Sequence, residues 1–110
     1  MSGLAHRAGR AYRKLRWRFL RAKPGQPARV ITAPTWNGVL SFSSADHHNA
    51  RVLYVQRAWE RDLVEGALAF LREEALIGSP GADLMIDAGA NIGMISIALV
   101  LHGGFRGALA

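Results

Sequence analysis

The sequence predicts an α/β chain: a basic amphipathic helix, a small β/α segment, and the first strand, turn and helix of a nucleotide-binding sheet. Three observations predict it. Residues 84–101, LMIDAGANIGMISIALVL, join a short apolar strand pattern to an apolar helix pattern. Asp87, Gly89, Asn91 and Gly93 stand at every second position of the junction. Residues 60–77 carry the clearest amphipathic helix, and residues 1–23 combine helical spacing with a dense run of cations. The expected divisions are 1–27, an arm and linker; 28–82, the β/α segment; and 83–110, the strand, turn and helix.

Composition bounds the function classes. The chain has 110 residues, half of them hydrophobic and a fifth charged, which is globular usage for at most one domain. With no cysteine, disulfides, thiolate zinc sites and cysteine nucleophiles are excluded, and a reducing cytoplasm is compatible. The net charge of +6 is uneven: no acid precedes Asp46, whereas Arg7, Arg10, Arg13, Lys14, Arg16, Arg18, Arg21, Lys23 and Arg29 do. The basic start is not followed by an unbroken apolar stretch and cleavage site, so no secretory signal is expected. Asp87, Asn91 and two glycines argue against a membrane span over 84–101. A cytoplasmic chain with a peripheral membrane contact is the expected location.

The elements follow in order. In GLAHRAGRAYRKLRWRFLRAK, helical spacing puts Leu4, Ala8, Ala11, Tyr12, Leu15, Phe19 and Ala22 on one face and most cations, with Trp17, on the other. The helix should end before Pro24-Gly25. Three readings of this arm stand: a solvated basic terminus, an interfacial helix on anionic lipid through residues 1–23, and, least favoured, non-specific nucleic-acid contact. Residues 24–34 hold three prolines and read as a linker leading into structure. RVITAP and GVLSFSS are β-type runs, with Trp36-Asn37-Gly38 as the turn. Asp46, or Ser44, can cap a short helix carrying Val52, Leu53 and Val55. His47 and His48 are adjacent, so on a helix their side chains diverge by about 100°, and no metal site is expected. In ERDLVEGALAFLREEALI, Leu63, Val64, Ala67, Phe70, Leu71 and Ala75 form a core stripe, Asp62 and Glu65 fit a capping box, and Gly78-Ser79-Pro80-Gly81 supplies the stop.

DLMID then reads as a buried parallel strand, and NIGMISIALVLHGG as a buried helix ending at Gly103-Gly104. In such a unit the first glycine permits a tight turn and close ligand approach, and the last permits close packing of helix on strand. The helix start favours an anion. A dinucleotide would offer a pyrophosphate, which Asp87 repels. S-adenosylmethionine would offer a carboxylate, with its ammonium near Asp87. A turn with a purely structural role is the third reading.

IDAGANIGMISIAL resembles the cofactor motif of the FkbM family of S-adenosylmethionine-dependent methyltransferases, which commonly reads Asp-Val-Gly-Ala-Asn-Ile-Gly after an apolar strand. NGVLSF, Asp46 before a short helix, and the Trp59-Glu60 pair resemble the family's upstream layout. The resemblance covers about residues 36–105 and is most specific over 86–93. It implies a Rossmann-like class I methyltransferase fold and S-adenosylmethionine as cofactor. The cofactor-binding positions would be Asp87, Gly89, Asn91 and Gly93, with Ala88 and Ala90 as small spacers and Glu60 as a further family position. The acceptor would be a small-molecule or glycan hydroxyl. A nicotinamide-dependent oxidoreductase is disfavoured because Asn91 stands where the middle glycine of Gly-x-Gly-x-x-Gly would be. A non-enzymatic basic module remains the alternative from another class. In the family an acidic residue ends the next strand and holds the ribose, and here no acid follows Asp87. FRGALA can begin that strand. No catalytic base is evident, and the chain alone is expected to be inactive and only part of an enzyme.

Overall fold

A computed structural model describes residues 3–110 as four helices and two two-stranded sheets, a mixed α/β architecture. The elements are α1 (Gly3–Leu20), β1 (Val30–Thr35), β2 (Gly38–Ser43), α2 (Asn49–Gln56), α3 (Arg61–Glu73), β3 (Leu84–Ile86), α4 (Met94–Gly103) and β4 (Gly107–Leu109). They fall into two compact units, 1–35 with 39–58, and 36–38 with 59–110. These units do not follow the divisions at 27 and 82. Among the described residues no helix is long and apolar enough to cross a membrane.

In the first unit α1 packs on α2, but not through the face that the apolar pattern selects. Trp17 is 3% exposed, whereas Leu4, Tyr12, Leu15 and Phe19 lie at the surface. The line turned inward is Gly9, Arg13, Trp17 and Leu20, set at steps of three and four residues. Trp17 decides the orientation because one indole offers more apolar area than any aliphatic side chain on the other face. It meets the Tyr54 ring at 6.0 Å between centroids. Arg13 Nε donates to Val55 O at 2.9 Å, placing a cation against the last turn of α2, where the helix dipole favours it. Ala50, Leu53, Tyr54 and Val55 form the buried side of α2, so Val52 is not part of that line as the sequence suggested. Asp46 Oδ1 accepts the amides of His48 and Asn49 and so caps α2, while Ser44 Oγ accepts the Arg29 amide.

A two-residue turn joins β1 to β2, as the hairpin signal predicted. Ala33, Leu40 and Phe42 point inward with period two, and Thr32 and Ser41 pair their hydroxyls across the outer face at 2.7 Å. His47 Nε2 bonds the Ala22 carbonyl at 2.7 Å and so ties the linker to the segment before α2.

In the second unit α3 buries only Val64 and Leu68, with Leu71 half-buried. Leu63, Ala67 and Phe70 are exposed, so the predicted core stripe is covered along one edge alone. Leu68 wins that place because Gly103 of α4, lacking a side chain, leaves room for it; a Cβ there would stand 3.1 Å from Leu68 Cδ2. The capping box does not form. Glu60 holds the cap position with left-handed backbone and no side-chain cap, Asp62 lies inside the first turn, and Glu65 pairs with Arg61 at 2.9 Å. The helix also stops before Gly78. Ala75 turns left-handed at φ 52°, and Leu76 N–H reaches Leu71 O at 2.9 Å, a Schellman closure made without glycine.

β3 and β4 are parallel, with Leu84 opposite Gly107, Met85 opposite Ala108 and Ile86 opposite Leu109. With α4 between them they form a βαβ unit. FRGALA therefore contributes a strand parallel to β3. Gly104 ends α4 in left-handed conformation, as read from the sequence. Burial falls short of the expectation. Leu84 and Ile86 are exposed, as are Val100 and Leu101, because the described residues place no further layer over these faces.

Candidate functional site

The strand order brings the alternating residues of 87–93 to the carboxyl end of β3 and the start of α4. The Asp87 amide donates to Leu109 O at 2.8 Å and extends the β3–β4 ladder by one step. Its carboxylate Oδ2 accepts Ser96 Oγ–H at 2.6 Å, so a hydroxyl from the first turn of α4 fixes the strand-end acid. Beyond it the backbone alternates in handedness. Gly89 has φ 80°, Asn91 55° and Gly93 85°, whereas Ala88, Ala90 and Ile92 between them do not enter the left-handed region. Left-handed backbone costs an ordinary L-residue roughly 1–2 kcal/mol and costs glycine nothing, with asparagine the next most tolerant. That accounts for glycine, asparagine and glycine at every second position.

Alternation of this kind turns successive amides toward a common side, the backbone arrangement from which anion-binding concavities are built. Gly89 is exposed, and a Cβ built on it meets nothing within 4 Å. The loop is therefore open on that side. Gly93 plays a different part from the one expected of it. A Cβ there would meet Ile97 at an ordinary 3.5 Å, so it is its φ, rather than close packing of helix on strand, that demands glycine. Gly93 N–H closes the turn on Ala90 O at 2.8 Å, and Gly93 offers α4 no capping side chain. The first amides of α4 thus meet the loop with the positive end of the helix dipole.

Glu60 is exposed and left-handed at φ 49°. Its neighbour Trp59 is tied to the same helix start by a side chain that the sequence reading treated only as a turn residue. Asn37 is fully buried, and its Oδ1 accepts the Trp59 amide at 2.7 Å. Its Nδ2 donates to Trp59 O at 3.1 Å and to Met94 O at 2.9 Å. Gly38 beside it lies at φ 107°, and a Cβ there would fall 2.7 Å from Ile97 Cγ2. One carboxamide and one glycine thereby seat residues 36–38 and Trp59 on the first turns of α4. Asn37, Gly38 and Ser96 were missed as site-building residues. Ser96 had a signal, being the lone hydroxyl in MISIALVL, whereas Asn37 had none beyond the ordinary Asn-Gly turn pattern.

On the outer surface of this unit His102 stacks on Trp36 at 4.4 Å, its Nε2 bonding Trp36 O at 2.7 Å, and the Arg61 guanidinium lies 5.5 Å from the Trp36 ring centre. No family model, curated protein or solved structure matches this chain.

Proposed function

We propose that residues 87–93 bind the methionine end of S-adenosylmethionine, and that the chain is the cofactor-binding part of an FkbM-type methyltransferase of Rossmann-like class I fold. The intact reaction would be O-methylation of a sugar or natural-product hydroxyl. The observation that carries the reading is the alternation of left-handed residues at Gly89, Asn91 and Gly93, open to solvent at Gly89 and running into an uncapped helix start. The residues present fit the cofactor's charged end. The amides of the loop and of the first turn of α4 suit its carboxylate, and Asp87, steadied by Ser96, suits its ammonium. A dinucleotide pyrophosphate gains from the amides but meets the Asp87 carboxylate at the strand end.

A second support is spatial. The pieces that resemble the family, Asn37-Gly38, Trp59-Glu60 and the 87–93 loop, are distant in sequence, yet the Asn37 carboxamide joins the first two to Met94 at the end of the third. When bound, the cofactor supplies a methyl group activated by a sulfonium. This chain's own contribution is to hold and orient the cofactor's charged end. It assigns no general base, and no acid after Asp87 offers itself to the ribose hydroxyls. Binding without methyl transfer is the expected behaviour of these residues alone.

Titration calorimetry of the 110-residue chain with S-adenosylmethionine tests the proposal. Saturable binding is expected, lost on Asp87→Ala and not displaced by a nicotinamide dinucleotide. Undetectable binding at millimolar cofactor, or preferential binding of the dinucleotide, would contradict it.

A further inference from the structure

The first unit poses a separate question, because its longest helix turns an apolar row away from its own core. Leu4, Tyr12, Leu15 and Phe19 are exposed, Leu4 and Phe19 by more than 70%, although Trp17 on the same helix is buried. At 3.6 residues per turn these four fall within about 100° of arc, on the side away from the Trp17 line. Arg7, Arg10, Lys14 and Arg18 occupy the next sector, all exposed. Between α1 and α2 they line two adjoining grooves, to which Arg51 adds a further cation, the larger groove about 650 Å³. The unit as a whole carries eleven of the chain's fourteen Lys and Arg and, with Asp46, one of its eight acids, a formal charge of +10.

We propose that α1 docks the chain on an anionic bilayer, with Leu4, Tyr12, Leu15 and Phe19 entering the boundary between headgroups and acyl chains and Arg7, Arg10, Lys14 and Arg18 meeting lipid phosphates. Charge selects this occupant. A second copy would set one unit of +10 against another, and repulsion opposes that contact. A nucleic acid would satisfy the cations through its phosphates but leave the apolar row in water. An anionic membrane satisfies both sectors at once. The helix is already formed and held by Trp17 and Arg13, so docking requires no folding of the arm. It also means that the helix lies along the surface with its Trp17 side toward the protein.

Co-sedimentation of the 110-residue chain with vesicles of phosphatidylcholine and phosphatidylserine, against phosphatidylcholine alone, tests the proposal. Binding is expected on the anionic vesicles only, weakening as salt rises. Leu15→Ser with Phe19→Ser should lower the partition at least tenfold, and Arg7→Gln with Arg10→Gln and Lys14→Gln about a hundredfold. Val30→Ser with Val39→Ser, equally exposed but off the helix, should leave it unchanged, and circular dichroism of each variant should match the parent. Equal binding to neutral vesicles would overturn the proposal, as would undiminished binding of the Leu15/Phe19 variant or an equal loss with the Val30/Val39 variant. Capture of single-stranded RNA, unaffected by the Leu15/Phe19 change and without vesicle binding, would assign the cations to nucleic acid instead.

Discussion

Among the described residues, eight of the twelve buried hydrophobic side chains belong to residues 1–35 and 39–58, and four to the unit that contains the 87–93 loop. The first unit closes a core of Trp17, Leu40, Phe42, Leu53, Tyr54 and Val55 and exposes an apolar row on one helix face, with Val30 and Val39 exposed on its strands. The second buries Val64, Leu68, Met94 and Ala98 and exposes Leu84, Ile86, Leu101 and Leu109 around its parallel strands. Its loop is shaped instead by backbone handedness and a few hydrogen bonds, from Asn37 and from Ser96 to Asp87. The charges divide the same way, +10 against −4, the second unit holding three cations and seven acids. One unit is organised by packing and the other by geometry at a turn. A substitution should therefore reveal which kind of order it disturbs.

The largest effect is expected in the first unit. Trp17→Ala should cost about 3–5 kcal/mol in urea unfolding, by the usual penalty for emptying a buried aromatic site, while Phe19→Ala, two residues away and exposed, should stay within about 0.5 kcal/mol. Equal costs would break the assignment of the two helix faces. In the second unit Asn37→Ala should cost about 2–3 kcal/mol, because it strips partners from the Trp59 amide and the Met94 carbonyl together. Proton exchange at the Trp59 amide, followed by nuclear magnetic resonance, should accelerate in that variant and not in Phe19→Ala. The smallest effect has the opposite sign. Ala75→Gly relieves a left-handed residue at φ 52° and should stabilise the end of α3 by about 0.5–1 kcal/mol, read as a raised unfolding midpoint.

The sequence was legible where the backbone set the pattern. Gly89, Asn91 and Gly93 are spaced by the sign of φ, and Gly104 by the left-handed end of α4, so each announced its own geometry. The β1–β2 turn and the Asp46 cap are likewise local. Side-chain facing was less legible, because an amphipathic pattern shows that a helix has two faces without saying which one the rest of the chain will cover. On α1 one tryptophan outweighed several smaller apolar residues; on α3 the room above Gly103 selected Leu68 over Phe70. The role of Asn37 depends on partners 22 and 57 positions away, a separation that no local pattern encodes.

Gly89 and Gly81 form a matched pair on which the account of the loop can be tested. Both are left-handed, at φ 80° and 82°, and a Cβ on either meets nothing within 4 Å, so the backbone penalty of valine should be the same at each, about 1–2 kcal/mol. Only Gly89 lies in the loop proposed to hold the cofactor. Calorimetry with S-adenosylmethionine on Gly89→Val and Gly81→Val, both confirmed folded, should find binding abolished in the first and unchanged in the second. Retained affinity in Gly89→Val, or equal loss in both variants, would contradict the assignment of residues 87–93.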